Sequence, residues 1–296
     1  MKNVYKILFG SMTVFMLAAC GGDNGGGDSG GESGSGSTLE TIQEEGVVTV
    51  GFANERPYAY QESDGTITGQ SVEIARAIFE EMGVQELEGS VVGFDSLISG
   101  LNSRNFDAVT AGMYITPERC ANAAFAEPEY QIGIGIATQA GNPHDINSYE
   151  DIANNPDLTV AVMSGAIERD YMLANGVAED QIQQVNDISA VITALDTGRV
   201  DAITMTDLTL QTAMQDQETE NIEIVENVEQ PIVDGEEVIG YGAAVFHPDD
   251  TELLERYNEI LAEFKESGRL LELMEPFGFT EANLPGDVTA AELCEG

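Results

Sequence analysis

Three loops place chemically able side chains directly after short β-rich runs. Glu55 and Tyr58 stand in Ala53-Asn54-Glu55-Arg56-Pro57-Tyr58, Tyr114 and Arg119 in Met113-Tyr114-Ile115-Thr116-Pro117-Glu118-Arg119, and backbone groups in Met163-Ser164-Gly165-Ala166. An arginine presents a planar fork of N–H donors that takes a carboxylate through two bonds, whereas an ammonium offers a point charge. Glu55 answers the opposite sign, and the faces of Tyr58, Phe94 and Tyr114 attract a delocalised cation through the ring quadrupole. The chemistry on offer is recognition of a small molecule that carries both charges. Taken singly, each aromatic also reads as core filler, Glu55 as a solvated acid and Arg119 as half of a surface ion pair, so the reading rests on the set.

The elements that must hold these loops read as α/β. Val47–Phe52 and residues 91–94 have strand character, and between them residues 71–82 repeat Ile74, Ala75, Ile78, Phe79 and Met82 at helical spacing, with Ser71 as the expected cap and Gly83 as the stop. Two distant segments echo each other. Leu97-Ile98-Ser99-Gly100-Leu101 through Phe106-Asp107-Ala108-Val109-Thr110 resembles Val191-Ile192-Thr193-Ala194-Leu195 through Val200-Asp201-Ala202-Ile203-Thr204, and Val48-Thr49-Val50-Gly51-Phe52 resembles Leu158-Thr159-Val160-Ala161-Val162. Order is kept in both pairs, which implies two lobes on one plan. Ligands of such sheets sit beyond the carboxyl ends of the strands and between domains, which is where the three loops lie.

The chain ends and the composition supply the setting. Lys2 and Lys6 precede an apolar run over residues 7–19 that is too short to span a bilayer, so residues 1–19 read as a signal peptide. Leu17-Ala18-Ala19-Cys20 resembles a bacterial lipobox, which would make Cys20 a lipid-bearing residue. Residues 20–38 then form a tether of glycine, serine and acids with little apolar surface. Removing the leader's two lysines leaves nine basic residues against 53 acidic ones, a formal charge of −44. Acids spread over the whole chain exclude nucleic acid as a partner and fit a fold that works in high salt, where charge repulsion is screened.

With those residues in view, the chain resembles the extracellular solute-binding proteins of polar amino-acid importers, over about residues 39–279. The resemblance is carried by Val48-Thr49-Val50-Gly51-Phe52 with Pro57 and Tyr58, by Gly69, Phe106-Asp107-Ala108, Thr116-Pro117-Glu118-Arg119 and Gly198-Arg199-Val200-Asp201-Ala202. Residues 51–58 and 111–120 further resemble the branch that binds ectoine and hydroxyectoine. The resemblance implies a two-lobed periplasmic-binding-protein fold of type II, each lobe a mixed sheet flanked by helices and joined by two hinge strands. Lobe 1 would cover 39–137 and 239–296, and lobe 2 would cover 138–238. It implies a monomer that closes around a small zwitterion and presents it to an ABC permease. In that arrangement Arg119 takes the carboxylate, Glu55 accepts from the cation, and Tyr58, Phe94 and Tyr114 form the cage. Gly165 and Ala166 donate backbone N–H groups, and Asp207 resembles the acid that takes the α-amino group in amino-acid carriers, although it also reads as the cap of the following helix.

Two other readings compete: a carrier of a polar amino acid, and a dehydratase-like enzyme on the same fold with Glu55 as its acid. Against the second stands the lack of a paired acid and base in the sequence. His144 and His247 are isolated, so no metal is expected, nor any cofactor. Export to an oxidising compartment favours pairing of Cys120 with Cys294, which would tie the C-terminal tail to lobe 1.

Overall fold

The computed structural model describes residues 36–216 and 221–295, so the leader, Cys20 and the tether up to residue 35 lie outside the described residues. Ser37 caps the helix Thr38–Glu45 through its hydroxyl, in a reciprocal capping box with Glu40. The helix therefore starts at the last residue of the expected tether.

The fold has the two-lobed plan expected: two mixed sheets flanked by helices. In the first sheet the order is Glu86–Val91, Val47–Phe52, Ala108–Tyr114, Gly240–Phe246 and Ala124–Phe125, with Tyr130–Ile132 also on Gly240–Phe246. In the second it is Ile182–Val185, Val160–Met163, Ala202–Thr206, Ile134–Gln139 and Ile222–Ile224. Each has three parallel strands followed by an antiparallel one. The echo in the sequence is the chemical link between the first two parallel neighbours. Asp107 Oδ2 accepts from the Thr49 N–H at 2.8 Å, and Asp201 Oδ2 accepts from the Thr159 N–H at the same 2.8 Å. In each lobe an acid just before one strand pins the start of its neighbour.

The chain passes between sheets twice, at Gly133 and again around residues 238–239. The expected boundary at 137/138 falls inside the strand Ile134–Gln139, which pairs wholly within the second sheet, so the first crossing lies a few residues earlier. Two local expectations also shift. The helix is Gln70–Glu81 with Gly69 at its cap, so Ser71 sits inside the first turn and its hydroxyl donates to Gln70 Oε1. The strand expected at 91–94 is Glu86–Val91, an edge strand that buries Leu87 and exposes its acids, and the apolar residues after it turn into the short helix Phe94–Ser96. Edge strands carry charge on their solvent side, which is why the apolar count pointed too far along.

Packing follows burial of one helix face. Ile74, Ala75, Ile78 and Phe79 cover the first sheet at the strands Ala108–Tyr114 and Gly240–Phe246, and Val191, Ile192, Ala194 and Leu195 of the helix Ile188–Asp196 cover the second at Val160–Met163 and Ala202–Thr206. The result is two rigid walls with their strand ends facing one cleft.

Candidate functional site

The loops after the strands meet in a tight cavity of about 30 Å³. Glu55, Phe94, Tyr114 and Arg119 line it from the first lobe; Met163, Ala166, Glu168 and Thr206 line it from the second.

Arg119 owes its position to its own short sequence. Thr116 caps the turn Pro117–Cys120, its Oγ1 accepting from the Arg119 N–H at 3.3 Å, and Pro117 takes the first helical position, where no amide is needed. Cys120 is joined by a disulfide to Cys294 in the C-terminal helix Ala290–Glu295, with Cα atoms 5.7 Å apart, so the turn is held from behind. The guanidinium reaches back: Nη1 donates to the Tyr114 carbonyl at 2.8 Å and Nη2 to the Gly165 carbonyl at 2.9 Å, while its Cζ lies 5.5 Å from the centre of the Phe94 ring. Arg56, Arg76, Arg104, Arg169, Arg256 and Arg269 each pair with a carboxylate. Arg119 pairs with none among the described residues, in a chain where acids outnumber bases almost five to one. Enclosure by protein lowers its pKa, an effect that Glu168 partly offsets.

Two buried acids stand opposite Arg119. Glu55 follows the strand Val47–Phe52, is 7 % exposed, and has its backbone fixed by paired hydrogen bonds with Ala59. Its Oε1 accepts from the Thr209 hydroxyl at 2.8 Å, across the cleft. Burial pushes this carboxyl up to about 8, with the Thr209 bond acting against the rise and Glu168 adding to it. Glu168 is 3 % exposed and is likewise raised by burial, with Arg119 opposing.

The aromatic residues divide. Phe94 and Tyr114 face the cavity, and the Tyr114 hydroxyl donates to the Ile132 carbonyl at 3.1 Å. The Tyr114 ring lies so close over the backbone of Gly240 that a Cβ there would fall within it. Tyr58 stands behind the wall. Its ring packs on Tyr130 and Phe279 at 5.2 and 5.8 Å, and its hydroxyl donates to Thr206 Oγ1 at 2.9 Å. It supports the cavity and ties the lobes rather than offering a face.

Two further expectations meet different geometry. The Ala166 amide donates to the Met163 carbonyl within the turn and so is not the expected free N–H donor, while Gly165, at φ +81°, has its carbonyl accept from Arg119. Asp207 lies away from this cavity, beside Gly133 and Gly135, and accepts from the Gln211 side chain at 2.8 Å. Its neighbour Thr206, the last residue of the strand Ala202–Thr206, lines the cavity together with Thr204 and Met205, whereas Asp207 opens the following helix Asp207–Asp216. Glu168 and Thr209 escaped sequence reasoning. An acid in a first helical turn and a hydroxyl inside a helix are too ordinary to stand out.

A model of the bacterial extracellular solute-binding proteins, family 3, matches residues 48–280. Among curated proteins, the chain is 32 % identical over 261 residues to the probable amino-acid ABC transporter periplasmic-binding protein y4tE of Sinorhizobium fredii, covering 87 % of this chain and 86 % of that one. It is 26 % identical over 276 residues to the arginine-binding extracellular protein ArtP of Bacillus subtilis, covering 92 % and 96 %. Among solved structures, EhuB in complex with hydroxyectoine superimposes with a TM-score of 0.79 at 31 % identity, covering 87 % of this chain and 97 % of EhuB. The match spans both sheets and every loop of the cavity, and the chain belongs to family 3 of the bacterial extracellular solute-binding proteins, which are transport receptors and not enzymes.

Proposed function

We propose that this chain captures a compact zwitterion of the ectoine or hydroxyectoine type and delivers it to an ABC permease. The observation that carries the reading is Arg119, the cavity arginine that no carboxylate neutralises among the described residues. Its fork retains N–H donors beyond the two given to carbonyls, and a solute carboxylate would complete it. Glu55 on the same lobe would accept from the solute's cation, with Phe94 and Tyr114 against its faces. Closure of the lobes about the hinge would then cover the solute, as hinge proteins do. The likeness to EhuB with hydroxyectoine supports the choice of solute.

A polar amino acid is the second reading, favoured by the names of y4tE and ArtP. Against it, Asp207, expected to take the α-amino group, lies outside the cavity. Titration calorimetry of the folded protein with ectoine, hydroxyectoine, arginine, glutamine and histidine separates the two. Heat with the ectoines and none with the amino acids supports the zwitterion reading, and the reverse replaces it.

Cys20 would anchor the protein through lipid outside the cell, with the following residues as a tether. Mass spectrometry of the protein extracted from membranes tests this, and an unmodified Cys20 contradicts it. The acid excess fits service at high salt, so the melting temperature should rise as KCl is increased toward about 2 M, and a flat response would contradict that setting.

A further inference from the structure

Glu168 lines the same cavity as Glu55 but from the other lobe. It opens the helix Glu168–Ala174 and is almost wholly buried. A charge kept from water is costly, and burial raises the proton affinity of both acids accordingly. Across the cavity, Glu55 is bonded by the neutral hydroxyl of Thr209. Two acids on opposite walls against one guanidinium leave acceptors in excess, and they address a cation from two directions. An aromatic cage by itself favours quaternary ammonium; a carboxylate facing such a group in a closed space gains no hydrogen bond.

Resting on the zwitterion reading, we propose that Glu168 is a specificity-determining acid that grips the solute's cation from the second lobe while Glu55 grips it from the first. The site then selects carboxylates whose positive charge carries N–H groups pointing two ways, of amidinium or guanidinium type, and rejects quaternary ammonium carboxylates. Each lobe contributes a contact to the cation, so Glu168 also couples recognition to closure.

The test is calorimetry of the parent and of Glu168→Gln with three probes: hydroxyectoine, L-arginine and glycine betaine. The parent should bind glycine betaine at least about 100-fold more weakly than the better N–H probe. Glu168→Gln should weaken that better probe about 10-fold or more and narrow the gap to glycine betaine. The melting temperature of unliganded Glu168→Gln should be unchanged or higher, since the variant removes a buried acid; a merely structural Glu168 would lower it. Glu168→Asp, which keeps the charge, should retain the discrimination. Parent-like affinity in Glu168→Gln, or glycine betaine bound by the parent as tightly as the N–H probes, overturns the proposal. If L-arginine binds the parent and hydroxyectoine does not, the ectoine reading fails, and a loss of L-arginine affinity in Glu168→Gln still supports the role of Glu168.

Discussion

Arg119 on the first lobe donates through Nη2 to the Gly165 carbonyl on the second, at 2.9 Å. The same fork lines the cavity, so the residue assigned to the solute carboxylate also fastens one wall to the other. Tyr58 to Thr206 and Thr209 to Glu55 are further bonds across the cleft, at 2.9 and 2.8 Å. Residues of the candidate site therefore also join the two lobes.

Gly165 tests that coupling from the second lobe. At φ +81° its backbone favours glycine, and a Cβ there would press on the backbone of Asp95 across the cleft. Gly165→Val should leave each lobe folded but hold the lobes apart, weakening solute binding by about 10-fold or more. Small-angle scattering should then find no compaction on adding solute. Compaction like that of the parent would separate closure from this contact.

The disulfide is the second point of control, since Cys120 immediately follows Arg119. Cys294→Ser should lower unfolding stability by about 2 to 5 kcal/mol. It should also weaken solute binding, because the turn that presents the guanidinium loses its tie to the helix Ala290–Glu295. Denaturant unfolding and calorimetry read the two effects. Reduced stability with intact affinity would mean that the capped turn holds Arg119 without help.

Much of the candidate site was legible because the ends of strands are where ligands of such sheets sit. Glu55, Phe94, Tyr114 and Arg119 lie at or just beyond strand ends and line the cavity. Legibility failed where a side chain's direction mattered. The strand Ala202–Thr206 brings Thr204, Met205 and Thr206 to the cavity, and Asp207, one residue on, opens the next helix away from it. Tyr58 occupies a site loop yet packs behind the wall on Tyr130 and Phe279, which are far away in sequence. The repeated Asp107 and Asp201 marked the two-lobe plan correctly, because each makes the same local bond to a neighbouring strand. The exposed edge strand Glu86–Val91 left no comparable mark, its pattern being mostly polar.

Glu129 governs a pH effect away from the solute. It is fully buried, its Oε1 accepts from Tyr257 at 2.8 Å, and its other oxygen has no partner. Burial pushes the carboxyl up to about 7, against 4.5 when free in solution, with Tyr257 and Ala244 opposing. The folded state thus holds the proton more tightly than the unfolded one. The stabilising contribution is complete below about 4.5 and is lost as pH rises through about 7. Between pH 5 and 8 the unliganded parent should lose on the order of 2 kcal/mol more stability than Glu129→Gln. Parallel pH profiles from denaturant unfolding would show that Glu129 is already ionised in the fold.

The central claim is that Arg119 receives a carboxylate from the solute, and calorimetric titration of Arg119→Ala with hydroxyectoine tests it most directly. Removing one partner of an enclosed, hydrogen-bonded charge pair costs about 2 to 5 kcal/mol, so affinity should fall by roughly 30-fold or more. Arg119→Lys, which keeps the charge and loses the fork, should fall between the variant and the parent. If folded Arg119→Ala binds hydroxyectoine as the parent does, the carboxylate does not sit on Arg119 and the account of the cavity is wrong.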